Sequence, residues 1–350
     1  MTTIYTYDLL VPKYLDDKSV CNLSLVNKHW LLVTAGNRKL RYLIKEGWLN
    51  LAKKGDLEGI KLLHKYGIKD YIIFLTDEEF FYIYKGSYSI LRGRHVYTKY
   101  KWNTMDFASL HGHLEVVKWL HENRSEGCTK DAMNYASFNG HLDIVKFLHY
   151  NRTEGCTTDA MDFASHEGHL EIVKYLHYNR NEGCTTDAMD RASDNGHLEV
   201  VKWLHENRME GCTTYAMEHA SLKGHLEIVK YLHYNRIEGC TTRAMDYASE
   251  YGYLEVVKFL HYNRREGCTT EAMDSASRNG HLEVVKFLHY NRTEGFTPNA
   301  MENASMNGHL DVVKFLHYNR TEGCTTNVMD MASKQGHLEI IKFLEENIKK

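Results

Sequence analysis

Apolar side chains return along most of this chain at helical spacing. In residues 157–184, TTDAMDFASHEGHLEIVKYLHYNRNEGC, a first stripe is formed by Ala160, Met161 and Ala164. A second is formed by Leu170, Val173 and Leu176, with Ile172 beside them. Steps of three and four residues put such groups on one face of an α-helix. The unit therefore predicts a short helix A, a turn, and a helix B whose opposite face carries Glu171, Lys174 and Tyr178.

The ends of helix A are marked. Pro298 stands where a helix begins, and proline costs nothing at the first helical position, whose N–H has no partner inside the helix; Thr297 is then the N-cap. Gly308 suits the left-handed residue that closes a helix.

Gly-His-Leu recurs at Gly112, Gly140, Gly168, Gly196, Gly224, Gly280, Gly308 and Gly336, with Gly252-Tyr253-Leu254 filling the gap, so the period is 28 residues. Nine such units, the last cut short, occupy residues 101–350. A two-helix unit cannot bury both of its apolar faces alone, so the units must stack, with helices about 8–10 Å apart. The expected fold is an all-α helix-turn-helix solenoid.

The string Ala-Ser-x-x-Gly-His-Leu-Glu-Val-Val-Lys-x-Leu resembles the ankyrin repeat and recurs over about seventy per cent of the chain. Two features depart from that family: the period is 28 residues where about 33 is usual, and Thr-Thr-x-Ala-Met-Asp replaces the Thr-Pro-Leu-His start. The shortening falls in Asn-Arg-x-Glu-Gly-Cys, which leaves too little chain for the β-hairpin finger. Short, near-identical tandem copies of this kind look like the arrays of giant DNA viruses of amoebae and of amoebae themselves. The resemblance implies a protein-binding scaffold.

Upstream, Leu51–Gly67 is a degraded copy, in which Gly55-Asp56-Leu57-Glu58 matches Gly-His-Leu-Glu, and a weaker copy surrounds Gly86. Residues 49–100 are read as divergent capping repeats, because an array needs end units whose outer face tolerates water. Residues 1–48 do not follow the repeat. Within them Leu15 followed by Asp-Asp, then Leu23, Val26, Asn27-Lys28 and Trp30, resembles an F-box, without its Leu-Pro opening. That resemblance implies docking on the adaptor subunit of a cullin-RING ubiquitin ligase through Leu15, Leu23, Val26 and Trp30, with the array choosing the target. A helical cap with a buried tryptophan has the same pattern, and both readings stand at this point.

Composition narrows the function further. Hydrophobic residues at 43% and charged residues at 25% match a folded soluble protein. A net charge of −3 supplies no basic field for a phosphate backbone, so nucleic acid is not an expected partner. The N-terminus lacks a signal-peptide pattern and no run of apolar residues reaches membrane-spanning length; a cytoplasmic protein is expected, in the host cell if the chain is viral.

Four ladders invite a chemical reading. Seven cysteines, Cys128 to Cys324, share one frame position, but rungs about 8–10 Å apart exceed disulfide reach and Phe296 takes one rung. Histidines at His113 and His121 and their equivalents lack metal-ligand spacing, and Tyr253 and Glu345 interrupt them. The acidic position of Asp162 repeats in near-identical surroundings, whereas acid–base catalysis needs two different ones. Arginines from Arg124 to Arg320 each precede a glutamate by two residues, a self-neutralising ribbon. No enzyme activity, cofactor, metal or small-molecule substrate is expected.

Recognition is expected where the frame varies. At one helix A position stand Phe107, Tyr135, Phe163, Arg191, His219 and Tyr247; three residues on stand Leu110, Phe138, His166 and Asp194. In ankyrin proteins the matching positions face the partner from the concave side. Aromatic residues with Asp131, Asp159 and Asp187 in the early units suit an apolar, somewhat basic segment.

Overall fold

The computed structural model describes residues 38–65, 73–74, 101–319 and 327–348. The chain divides into two compact units, residues 1–155 and 156–350.

In the first unit, α1 (Arg38–Lys54) and α2 (Leu57–Lys65) precede a two-residue antiparallel pair, β1 (Ile73–Phe74) with β2 (Lys101–Trp102), in register Ile73 to Trp102. Two full repeats follow: α3 (Thr104–Leu110) with α4 (Leu114–Asn123), and α5 (Asp131–Phe138) with α6 (Leu142–Asn151). The small β pair is a departure from the all-helical pattern.

The degraded copy is a working neighbour of the first repeat. α1 packs on α2 and on α3. His113 Nε2 bonds to the Lys53 carbonyl at 2.9 Å, and its ring covers Gly55. Full repeats join in the same way, so α1 and α2 stand next to the first repeat in the stack. Trp48 is buried here under the Arg124 guanidinium, which lies 4.4 Å from its ring centroid. The weaker copy around Gly86 and the F-box-like positions Leu15, Leu23, Val26 and Trp30 lie outside the described residues.

The second unit holds seven repeats. Their helices A are α7 (Asp159–His166), α9 (Asp187–Asp194), α11 (Thr214–Leu222), α13 (Arg243–Glu250), α15 (Thr270–Arg278), α17 (Pro298–Met306) and α19 (Asn327–Gln335). Their helices B are α8 (Leu170–Asn179), α10 (Leu198–Asn207), α12 (Leu226–Asn235), α14 (Leu254–Asn263), α16 (Leu282–Asn291), α18 (Leu310–Asn319) and α20 (Leu338–Ile348). Each helix A packs most extensively on the helix A of the next repeat.

Both ends of helix A are built as the sequence predicts. Thr297 caps α17 by accepting the Asn299 N–H, with Pro298 in the first turn, and Gly308 closes the turn at φ +82°. The core is Ala160, Met161 and Ala164 of helix A against Ile172, Val173 and Leu176 of helix B. Leu170, expected inside, is half-buried: it is the first residue of α8, and Ile172 takes the inner place. No strand forms in the described links between one helix B and the next helix A.

Candidate partner-binding face

Within the units, three sets of side chains join neighbouring repeats, and they account for most of the ladders. The first is acidic. Asp190 accepts both the N–H and the hydroxyl of Thr213, each at 2.8 Å, and Asp162 does the same with Thr185. Burial pushes Asp162 up to about 7 against the pull of those hydrogen bonds. Glu218 serves Thr241 in the same way.

The second set is the Gly-His-Leu histidine. His309 Nε2 donates to the Arg278 carbonyl at 3.0 Å, and His337 Nε2 to that of Met306 at 2.9 Å. Each ring lies over the glycine that ends the preceding helix A, Gly280 and Gly308 respectively.

The third set is the arginine ribbon. Arg208 forks onto Glu210 and also donates to His177 Nδ1 at 3.3 Å, one repeat back. His177 is meanwhile edge-on to Trp203, with centroids 5.1 Å apart. Arginine offers only donors, so His177 Nδ1 is the acceptor in this contact. Burial and Arg264 together lower His233, and burial and Arg292 lower His261.

The cysteines fill the space beneath this ribbon. Cys156, Cys184, Cys212 and Cys268 are buried free thiols that burial pushes up to about 12. Among the described residues, no group of three or more His, Cys, Asp or Glu is placed to hold a metal ion.

What these joints leave over is one stripe on each helix A. On α9 it is Asp187, Arg191 and Asp194; on α11, Tyr215, His219 and Leu222; on α13, Arg243, Tyr247 and Glu250. Spacings of four and then three residues put each trio on one face, away from the alanine and methionine side.

The family models match this architecture. Residues 105–149 match the family described as Ankyrin repeats (many copies), and residues 133–214, 189–274 and 273–350 match Ankyrin repeats (3 copies). The chain belongs to the ankyrin-repeat family. No curated protein matches it. Ankyrin arrays are binding scaffolds rather than enzymes, and this chain is a protein–protein interaction scaffold. None of its described helices is long and apolar enough to cross a membrane.

The variable positions of this ankyrin array are not equally open. In the first unit Phe107 and Leu110 are 3% and 4% exposed, Tyr135 is buried at the margin, and Phe138 is half-buried. In the second, Phe163, Arg191, His219 and Tyr247 are half-buried, while His166 and Asp194 are buried. His166 Nδ1 lies 2.7 Å from Glu167, whose carboxyl it lowers. Sequence reasoning passed over Tyr215. It shares its frame position with Asp187 and Arg243, and its change from acid to aromatic to base was the available signal.

A second, aromatic surface lies on helix B. Tyr150 and Tyr178 are about as exposed as Tyr234, Tyr262, Tyr290 and Tyr318, with Tyr178 at 71%. Glu206 interrupts the series, and Glu122 and Glu346 stand at its two ends.

Proposed function

We propose that the chain is an ankyrin scaffold that holds a protein partner along the helix A stripe. The observation carrying this reading is the contrast within each helix A. Ala, Met, Ser and the acidic joint are repeated and committed to packing, whereas the i, i+4, i+7 stripe changes chemistry from repeat to repeat and stays partly open. Aromatic and arginine side chains in such a row, Phe138, Phe163, Arg191 and Tyr247 among them, are the types that carry most interface energy. The buried Phe107 and Leu110 would support the row from beneath rather than touch the partner.

The test is capture by the full-length chain and by a variant with Tyr135, Phe138 and Phe163 all changed to Ala. Truncating such anchors weakens binding by about 2 kcal/mol or more when they lie in the interface. A partner that binds the triple variant as tightly as the unchanged chain would remove this reading.

A ligase link is the finer form of the proposal. It is supported by the F-box resemblance of residues 8–30 through Leu15, Leu23, Val26 and Trp30. The likeness of the short repeat to viral arrays supports a host-cell target. Under this form, residues 1–48 dock on the cullin-RING adaptor while the array holds the target, and residues 49–100 cap the array. Deleting residues 1–37, which spares α1, should then release the adaptor and leave the target bound. If the adaptor is never recovered, the chain acts as a scaffold alone.

A further inference from the structure

Asp194 is held in a place that does not suit a carboxylate. It is the last residue of α9, where the helix dipole opposes negative charge. Its side chain is 6% exposed, and its Oδ1 has no hydrogen-bond partner among the described residues. Burying a carboxylate oxygen without a hydrogen bond is costly, and the frame does not require it, since Leu222 stands at the same position one repeat on. Two repeats on, Glu250 at that position is paired with Arg278 at 3.2 Å. The His219 imidazole faces the carboxylate, its Nδ1 3.5 Å from Oδ1, and His225 Nε2 donates to the Asp194 backbone carbonyl at 3.2 Å.

The surroundings of Asp194 are aromatic and acidic. His219 stacks on Tyr215 with centroids 3.5 Å apart and planes 12° from parallel, and Tyr247 stands edge-on to His219 at 6.2 Å. Burial, with the Asp194 charge adding to it, pushes the Tyr215 hydroxyl up to about 12. Asp187 and Asp190 add negative charge on α9, and the one cation of that helix, Arg191, is engaged by Asp187 at 3.0 Å. Arg243 is exposed at the start of α13.

We propose that Asp194, Tyr215, His219 and Tyr247 form the receiving site for one basic side chain, lysine or arginine, of the partner protein. The proposal rests on the helix A stripe being the binding face. A cation over the half-buried rings gains from their negative faces. A turn about the loose terminal torsion of Asp194 then presents one of its oxygens to the cation. The free protein carries the cost of the unsatisfied Oδ1, and the complex relieves it. This differs from a general preference for basic segments, because one residue of the partner is singled out.

The probe is a displayed random peptide library selected on the full-length chain, with the recovered peptides synthesised and their affinities measured. Recovered peptides are expected to share one Lys or Arg. Changing it to Gln, or changing Asp194→Asn, should each weaken binding about tenfold, and the two changes together should cost little more than either alone. Tyr215→Ala should weaken binding, and Tyr215→Phe, which keeps the ring, should not. Asp194→Asn should melt at the same or a higher temperature, which separates lost recognition from lost folding. Peptides without a shared basic residue, or affinities indifferent to Asp194→Asn and Tyr215→Ala, would overturn the proposal. If those peptides still lose affinity when Phe163 or Arg191 is changed to Ala, the helix A reading survives and this site alone fails. If no helix A change matters, the wider reading fails as well.

Discussion

Asp162 on α7 receives two hydrogen bonds from Thr185 in the next repeat, one from its N–H and one from its hydroxyl, both 2.8 Å long. The same threonine hydroxyl accepts the N–H of Asp187, the first residue of α9, at 3.1 Å and so serves a donor of its first turn. One carboxylate thus orients a residue at the start of the neighbouring helix, which couples the first turn of one repeat to the presence of the one before it. Asp162→Ala leaves both donors without their acceptor at a part-buried contact. We expect a loss of about 1–3 kcal/mol in denaturant unfolding. A loss under about 0.5 kcal/mol would show that water takes over both bonds.

The same residue sets a pH dependence that a matched variant isolates. Burial holds Asp162 up at about 7 in the folded chain, above its ordinary value of 3.8. A carboxyl raised by folding contributes stability below its unfolded value and loses it as pH rises through its folded value. Asn134 fills this place in the second repeat, so Asp162→Asn is compatible with the frame. The unchanged chain should therefore gain stability relative to Asp162→Asn as pH falls from about 7.5 to about 4. At lower pH the sign reverses for a different group. Burial works against ionisation of Glu182, but Arg180 and backbone N–H groups outweigh it and hold the carboxyl at about 2. Stability from Glu182 is present above its ordinary value of 4.5 and is lost as pH falls toward 2. Melting temperatures of the two proteins across this range check both statements; parallel curves between pH 7.5 and 4 would exclude the first.

Much of this frame was legible because repetition compares nine copies of one unit inside a single chain. The Thr297 cap, the Gly308 stop and the missing finger follow from local chemistry that each copy restates. Burial at the variable positions was not legible. Phe107 varies yet is buried, because a position facing the gap between neighbouring helices A can be filled by side chains of many sizes. Leu170 and Ile172 are both compatible with an inward stripe, and only the point at which α8 begins decides between them. The isolation of Asp194 depends on residues in three different repeats, and no pattern within one unit contains it.

Gly280 separates backbone strain from side-chain contact. Its φ is +77°, and a Cβ there would stand 2.5 Å from His309 Nδ1, the ring that bonds to the Arg278 carbonyl. Gly295 has a φ of +72° and nothing within 4 Å of a notional Cβ. Gly295→Ala should therefore cost only the left-handed penalty, about 1–2 kcal/mol. Gly280→Ala should cost that and about 1 kcal/mol more for the displaced histidine. Equal losses in chemical denaturation would mean that the His309 bond contributes nothing.

The cysteine ladder should be chemically quiet. A thiolate is the reactive form, and burial holds Cys156, Cys184 and Cys212 up at about 12, so little thiolate exists at neutral pH. Maleimide labelling of the native chain, followed by peptide mass spectrometry, should modify these thiols only as fast as the repeats open. Cys128, which is half-buried, should be modified before them. Rapid labelling of Cys184 in the native state, with unfolding too slow to explain it, would show that the ribbon above the ladder opens on its own.

Arg208 tests whether that ribbon needs a fork or only a charge. Its Nε and Nη2 grip Glu210, its Nη1 donates to His177 at 3.3 Å, and its guanidinium covers Gly183, where a Cβ would be 2.6 Å from Nη2. Lysine keeps the charge but offers a single point of donation on a flexible stem, so it can serve Glu210 or His177 but not both. Arg208→Lys is expected to lose about 1 kcal/mol, and Arg208→Ala more, because Glu210 is then left partly buried without its cation. The pairing is shielded, so the loss should change little between low and moderate salt, unlike that of the exposed Lys202–Glu199 pair. If Arg208→Lys matches the unchanged chain at both salt concentrations, the ribbon acts through charge alone and the hydrogen bond to His177 is incidental.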